Sequence, residues 1–280
     1  MGDQHLLRRI PSGDLMMQAF AYTCPGCGET TKSVATLPPG QTPEIMDGLC
    51  ISCLVSKMGR TMDTPRSYKV NEIYLSIQGE GMRAGTVNVF VRFTGCNMRC
   101  DLDAGPFSPG GFACDTEFVS GRQMTAEEIV EEADRLWVGG GEKAVIFTGG
   151  EPGLQVDDEL LAEFDGWYRA IETNGTVDLT VKCGQLAPES LWPYRLEWIT
   201  LSPKIAEHAM KCKWASEAKY VRGYGQGVIK PRPNAVHLLI SPAMNGDQFD
   251  RESMEWCKKL VLENPEWRLT TQLHKLWMAR

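Results

Sequence analysis

From Tyr68 onward the chain alternates between short apolar runs and segments with helical spacing. The runs VNVFVRF (87–93) and KAVIFT (143–148) are rich in β-branched and aromatic residues, and the second ends at Gly-Gly; both read as strands. Further strands are predicted at YRAIET (168–173), EWITLS (197–202), EAKYV (217–221), AVHLLIS (235–241) and WRLTTQL (267–273). The segment TAEEIVEEADRLWV (125–138) opens with the capping-box pair Thr125 and Glu128. It places Ile129, Ala133, Leu136 and Trp137 on one helical face. A second helix is predicted over 250–262. Strands alternating with helices imply an α/β fold with a parallel sheet and right-handed crossovers.

The polar, Gly- and Pro-rich segments TGGEP, ETNGT, LSPK and ISPA each follow a predicted strand. In barrel-like α/β folds the carboxyl ends of the strands carry the site. These segments are therefore expected to converge on one pocket, with the cysteine-bearing loop after VNVFVRF above it. Upstream the pattern changes. Residues 1–20 read as an irregular or loosely helical lead-in, and 21–56 carry two Cys-x2-Cys pairs. The polar, Pro-interrupted stretch 58–67 reads as a linker. The expected organisation is a small module (1–57), a linker (58–67) and a large α/β domain (68–280).

A length of 280 residues with 42% hydrophobic content suits one large domain plus an appendage. The net charge of −7 argues against a global grip on nucleic acid. No run approaches the ~18 apolar residues of a membrane span, and the N-terminus lacks the apolar core of a secretory signal. A reducing cytoplasm is expected. Ten cysteines there point to metal rather than disulfides. Seven of the ten lie between residues 24 and 114; Cys183, Cys212 and Cys257 stand alone and read as small buried apolar residues.

Cys24-x2-Cys27 and Cys50-x2-Cys53 provide four thiolates in two knuckles, the donor set of a closed structural zinc site. A second iron–sulfur cluster is the alternative. Cys96-x3-Cys100 is followed, after thirteen intervening residues, by Cys114. Three thiolates can ligate three irons of a [4Fe–4S] cluster and leave the fourth open to a ligand. A zinc site short of a ligand, or unrelated buried thiols, are the alternatives. The intervening DLDAGPFSPGGFA is Gly- and Pro-rich, as a spliced-in loop should be. Lengthening a loop a few-fold costs only on the order of 1 kcal/mol.

NEIYLSIQGEGMRAGTVNVFVRFTGCNMRC, CDTEF, FTGGEP, ETNGT and LSPK occur in this order. Together they resemble the radical S-adenosylmethionine (SAM) enzymes, and among these the 7-carboxy-7-deazaguanine synthase family, over about residues 69–280. The thirteen-residue gap departs from the usual Cys-x3-Cys-x2-Cys spacing. The resemblance implies a partial, open TIM-like barrel, with Cys96, Cys100 and Cys114 holding the cluster and Thr116 holding Mg²⁺. It assigns SAM to Ala113, Asp115, Gly149, Gly150, Glu151, Thr173, Asn174, Ser202, Pro203 and Lys204. Gly149 and Gly150 would give the SAM methionine a bare backbone to approach, and Glu151 would accept from its amino group. The substrate would meet Ile77, Gln78, Gly79, Arg92 and Thr148. His274 either reaches the site or packs at a strand end.

The implied reaction turns 6-carboxy-5,6,7,8-tetrahydropterin into 7-carboxy-7-deazaguanine with loss of ammonia. A flavodoxin or ferredoxin is expected as electron donor, and a homodimer as the assembly. Two other readings remain open on sequence: a glycyl-radical activase with the same cluster, and a non-enzymatic binding protein whose working part is the zinc ribbon.

Overall fold

The apolar runs lie side by side in one nine-stranded sheet. The computed structural model describes residues 16–23, 30–37, 65–98, 100, 117, 119–179, 196–245 and 248–279. The chain divides into two units, Met1–Pro65 and Arg66–Arg280.

In the first unit β1 (Met16–Thr23) and β2 (Thr30–Leu37) form an antiparallel pair, in register from Met16↔Leu37 to Thr23↔Thr30. The sequence reading made 1–20 irregular or loosely helical; residues from Met16 are strand instead. Phe20 and Tyr22 in one segment and Thr30, Thr31, Val34 and Thr36 in the other favour extended backbone. The ladder then satisfies the main-chain groups of both. Cys24, Cys27, Cys50 and Cys53 lie outside the described residues.

The second unit contains β3 (Ser67–Ile77), β4 (Val87–Phe93), β5 (Arg122–Thr125), β6 (Ala144–Gly149) and β7 (Tyr168–Thr173). β8 (Trp198–Leu201), β9 (Trp214–Arg222) and β10 (Asn234–Pro242) follow. Two short strands, β11 (Met244–Asn245) and β12 (Gln248–Phe249), pair with each other, and β13 (Trp267–Leu269) completes the large sheet. Its order is β13-β10-β9-β8-β7-β6-β4-β3-β5. The strands from β4 to β13 run parallel, while β3 is antiparallel to both β4 and β5. The order is linear, so the sheet is open among the described residues.

Among the described residues four α-helices punctuate the strands: α1 (Ala126–Leu136), α2 (Asp158–Glu163), α3 (Arg251–Glu263) and α4 (Leu273–Trp277). α1 forms as the pattern predicts. Glu128 N donates to Thr125 Oγ1 at 3.2 Å, and Thr125 N donates back to Glu128 Oε2 at 2.8 Å. Ile129 and Ala133 are buried against the sheet. Asp157 and Asp250 cap α2 and α3 with their carboxylates.

Alternation sorts each strand's side chains onto two faces. Val89, Val91, Phe93, Val145, Phe147 and Ile171 join the helix-side core. There Phe147, Phe164 and Trp167 meet edge-on, with centroids 5.3 Å apart in both pairs. Each such pair contributes about 0.5–1.5 kcal/mol beyond its burial. The other face carries a small cluster of Tyr74, Phe90, Ile146 and Ala170. Above that cluster, toward the carboxyl ends, the same face turns polar. Cys212 and Cys257 are buried as expected, and burial pushes their thiols up to about 11 and about 12. Cys183 lies outside the described residues.

Candidate active site

The cysteine loop leaves the sheet at the end of β4 and is tied to two neighbouring strand ends. Gly150 N donates to Phe93 O at 3.2 Å, and Glu151 N donates to Gly95 O at 3.0 Å. This contact explains the two glycines. A Cβ on Gly150 would stand 2.1 Å from Gly95 O, and one on Gly149, whose φ is +124°, would stand 2.2 Å from Phe93 O. The Phe93–Cys96 segment thus fills the space that a Cβ on either glycine would need.

Cys96 Sγ accepts from Met98 N at 3.4 Å and lies 3.8 Å from Asn174 Nδ2. Asn97 Nδ2 donates to Thr176 Oγ1 at 2.9 Å, so the loop also grips the ETNGT turn after β7. Cys96 and Cys100 are half-buried and form no disulfide among the described residues. Cys114 lies outside the described residues, with Ala113, Asp115 and Thr116. The two ends of the segment that contains all three cysteines are pinned together. Thr94 Oγ1 donates to Ser120 O at 2.7 Å, across 26 positions. Glu117 anchors the returning end, accepting from Val119 N at 2.7 Å and from Ser120 N at 2.9 Å. Those bonds, Ser120's first, hold its carboxyl down at about 2. A closed loop of this kind can lengthen internally without moving its ends.

Glu151 is fully buried. Its carboxylate accepts from Gly153 N at 2.9 Å, Thr173 Oγ1 at 2.7 Å and Asn174 N at 2.7 Å. It thereby clamps the TGGEP turn to the end of β7. Ser202 N donates to Thr173 O at 2.8 Å, which brings the Ser202-Pro203-Lys204 turn to the same place.

The polar layer on the face of the Tyr74–Phe90 cluster follows strand register. Arg92 on β4 pairs with Thr148 on β6, while Glu172 on β7 pairs with Thr200 on β8 and Thr200 with Glu217 on β9. Glu172 is the hub. Its Oε1 accepts from Gln78 Nε2 at 2.8 Å and its Oε2 from Thr148 Oγ1 at 2.9 Å. Two substrate residues expected from sequence thus meet on one carboxylate that sequence reasoning did not assign. The available signal was its place in β7, where a charged residue interrupts an apolar strand. Arg92 donates from Nε to Glu72 Oε1 and from Nη2 to Tyr74 OH, both at 2.9 Å. Among the described residues its Nη1 has no hydrogen-bond partner.

The loop after β3 is joined to the C-terminal tail. Leu273 N donates to Gly79 O, Gly81 N to Thr270 Oγ1 and Gln272 Nε2 to Glu80 Oε1, all at 2.9 Å. A Cβ on Gly79 would lie 2.4 Å from His274 Nδ1, so His274 sits directly over the IQG segment. Ile77, at the end of β3, stays exposed. Glu80 also forms an ion pair with Lys219 on β9. Burial opposes charging both groups, but their mutual attraction outweighs it. Glu80 is held below its ordinary value and Lys219 above its own. Neither residue was singled out from sequence.

The donors present suit the groups the sequence implied. Cys96 Sγ already takes N–H contacts of the kind that steady a cluster-bound thiolate. Among the described residues no three His, Cys, Asp or Glu side chains are grouped to hold a metal ion. The third thiol and Thr116 lie outside them.

A thiol-bearing loop, a Gly-Gly-Glu-Pro turn and a charged pocket at one end of an open parallel sheet form the layout of a radical SAM enzyme. No family model matches the chain. It is 34% identical over 211 residues to a 7-carboxy-7-deazaguanine synthase of Bacteroides thetaiotaomicron, across 74% of this chain and 96% of the relative. Synthases of Nitratidesulfovibrio vulgaris (35% over 236 residues) and Caulobacter vibrioides (32% over 222) each align with 75% of this chain and 97% of their own length. A crystal structure of QueE from Escherichia coli superimposes with a TM-score of 0.49 at 21% identity, covering 74% of this chain and 94% of that one. The chain belongs to the 7-carboxy-7-deazaguanine synthase family. Neither alternative weighed from sequence, the activase or the non-enzymatic binder, finds support in these relatives.

Proposed function

We propose that the chain is a radical SAM lyase that converts 6-carboxy-5,6,7,8-tetrahydropterin to 7-carboxy-7-deazaguanine with loss of ammonia, in 7-deazaguanine biosynthesis. The supporting observation is how three consecutive residues at the end of β7 are used. Glu172 holds Gln78 and Thr148 of the pocket, Thr173 binds Glu151, and Asn174 touches Cys96. Pocket, SAM turn and thiol loop are thereby set by one stretch of backbone. Such positioning is what a reaction between two bound molecules requires.

When bound, a [4Fe–4S] cluster on Cys96, Cys100 and Cys114 supplies the electron that cleaves SAM. Lys204 and the Ser202-Pro203 turn hold the SAM carboxylate and ribose, with Ala113, Asp115, Gly149, Gly150, Thr173 and Asn174 around them. Glu151 positions two of these groups through its clamp. Arg92 presents Nη1 to the substrate carboxylate while Glu72 and Tyr74 fix its orientation. Gln78, whose Nε2 donates to Glu172 and whose Oε1 accepts from Glu80 N at 3.1 Å, reads the pterin edge with its remaining donor and acceptor capacity. Ile77 and Gly79 shape the wall beneath. Thr116 offers a hydroxyl to Mg²⁺, which keeps water and substrate oxygens in its shell. Cys24, Cys27, Cys50 and Cys53 hold a structural Zn²⁺. The protein works in the cytoplasm as a homodimer, with a flavodoxin or ferredoxin as electron donor. No helix among the described residues is long and apolar enough to cross a membrane.

Anaerobic incubation with SAM, reductant and 6-carboxytetrahydropterin tests the reaction. The deazaguanine chromophore should appear; SAM cleavage without it would overturn the substrate assignment. In the same preparation Cys114→Ala should lose iron and sulfide as fully as Cys96→Ala. A Cys114→Ala protein with full iron would show that the cluster does not span the thirteen-residue gap.

A further inference from the structure

The chain is acidic overall but carries a cationic stretch that reaches the cysteine loop. Residues 204–232 contain seven Lys and Arg against two Glu, net +5. The whole chain has 29 and 36, so the remainder has 22 against 34, net −12. Three cations of this stretch are used elsewhere: Lys204 is assigned to SAM, Lys219 pairs with Glu80, and Arg222 is buried. Lys211, Lys213, Lys230 and Arg232 are exposed.

Hydrogen bonds tie Lys213 and Arg232 to neighbouring segments of this rim, Lys213 Nζ itself donating to Met210 O at 2.9 Å, and Lys230 lies two positions before Arg232 in the sequence. Asn234 N donates to Lys213 O at 2.9 Å. Arg232 donates from N to Glu207 Oε2 at 2.7 Å and from Nη1 to His208 O at 3.2 Å. The local carboxylate Glu207 is thereby engaged, and its other oxygen accepts from Tyr220 OH at 2.8 Å. Among the described residues, half-buried Asp178 and buried Glu151 also act on Cys212 at this rim.

The rim adjoins the cysteine loop. Lys211 N and Cys212 N donate to Gly175 O at 2.9 and 3.2 Å. The neighbouring Asn174 reaches Cys96 Sγ. One peptide and two contacts therefore separate the Lys211 backbone from the Cys96 thiol.

We propose that this rim docks an acidic protein that carries single electrons, seating it beside the cysteine loop. The proposal rests on the radical SAM reading, in which the carrier gives up one electron and the sulfonium of SAM takes it up. An acidic enzyme repels an acidic carrier over most of its surface, so a local cationic island decides where the two meet. Attraction of this kind acts within about a Debye length, roughly 8–10 Å at 0.1–0.15 M salt, and falls as salt rises. A position beside the loop also keeps the path of the electron short.

The test is binding of a flavodoxin to the cluster-loaded enzyme by calorimetry, at several salt concentrations. The double variant Lys211→Glu/Lys230→Glu is chosen because neither side chain holds the fold together among the described residues. Its Kd for flavodoxin should rise roughly tenfold or more at low salt, with a flatter salt dependence. SAM cleavage driven by dithionite should stay at the wild-type rate. Unchanged flavodoxin affinity would overturn the proposal. So would an RNA hairpin that binds the rim with the same charge dependence while flavodoxin does not bind. A wild-type protein that binds no iron and cleaves no SAM with dithionite would instead sink the underlying reading.

Discussion

At the scale of single residues, Glu172 decides how the pocket is wired. One carboxylate accepts from both Gln78 and Thr148, so it fixes which of their groups face a ligand. Glu172→Gln keeps the shape but replaces one acceptor oxygen with a donor, so one of the two contacts must break or invert. Hydrogen bonds to a charged group contribute about 1.5–3 kcal/mol. A fall in kcat/KM for the pterin of about tenfold to a hundredfold is expected, with SAM affinity unchanged. Steady-state kinetics beside a SAM-binding titration checks it; an equal loss in both would show that Glu172 supports the whole strand end rather than the pocket. Residues of this kind are hard to read from sequence. Glu172 opens a motif whose later members attract attention, and only its register opposite Thr200 and its reach to Gln78 reveal its use. Cys96, Thr148 and Asn174 were legible because motif spacing carries them. Glu80, Lys219 and Gln272 were not, because their contacts join segments more than a hundred positions apart.

At the scale of elements, apolar runs marked the parallel strands well, since strands buried on both faces are written in continuous β-branched and aromatic residues. The amphipathic α1 and its capping box were equally clear. Misses cluster where polar residues interleave. β3 reads SYKVNEIYLSI, β5 reads RQMT, and β13 stops at Leu269 rather than running to 273. There Thr270 and Gln272 leave the sheet to bond the loop after β3, a tertiary choice that local propensity does not encode. That loop-to-tail junction centres on the Glu80–Lys219 pair, with Gln272, His274, Glu172 and Glu217 as its polar and charged neighbours. Glu80 is held down, so its share of stability is present above the ordinary carboxylate pKa of about 4.3 and is lost as pH falls through its folded value. Lys219 is held up, so its share is full below about 10.4 and is lost as pH rises through its folded value. Lys219→Met leaves a buried carboxylate alone and should cost about 3–5 kcal/mol near neutral pH. The gap from wild type should narrow as pH drops toward 4, where the orphaned Glu80 takes up a proton. Urea midpoints across that range measure it, and a gap independent of pH would mean that lost packing, not lost charge pairing, sets the cost.

At the scale of the whole molecule, every side chain assigned to SAM, substrate or Mg²⁺ falls within Arg66–Arg280, while the four cysteines assigned to zinc fall within Met1–Pro65. The boundary lies just before β3, whose first residues pair with β5 and whose Tyr68 OH donates to Asp157 at 2.8 Å. A cut at Arg66 therefore removes no strand of the nine-stranded sheet. The 66–280 polypeptide is expected to keep its iron–sulfur cluster, lose its zinc and turn over within about twofold of the full chain. Structural zinc supplies folding energy only to the unit that binds it, so the large unit's melting transition should persist at nearly the same temperature. Metal analysis, calorimetry and the deazaguanine assay on both proteins decide the matter. A soluble, cluster-loaded 66–280 polypeptide without activity would place the N-terminal unit in the working site or in the active assembly. Iron instead of zinc on Cys24, Cys27, Cys50 and Cys53 would make that unit a second redox centre. The loss on truncation would then appear in electron supply, as slow turnover with flavodoxin but normal turnover with dithionite.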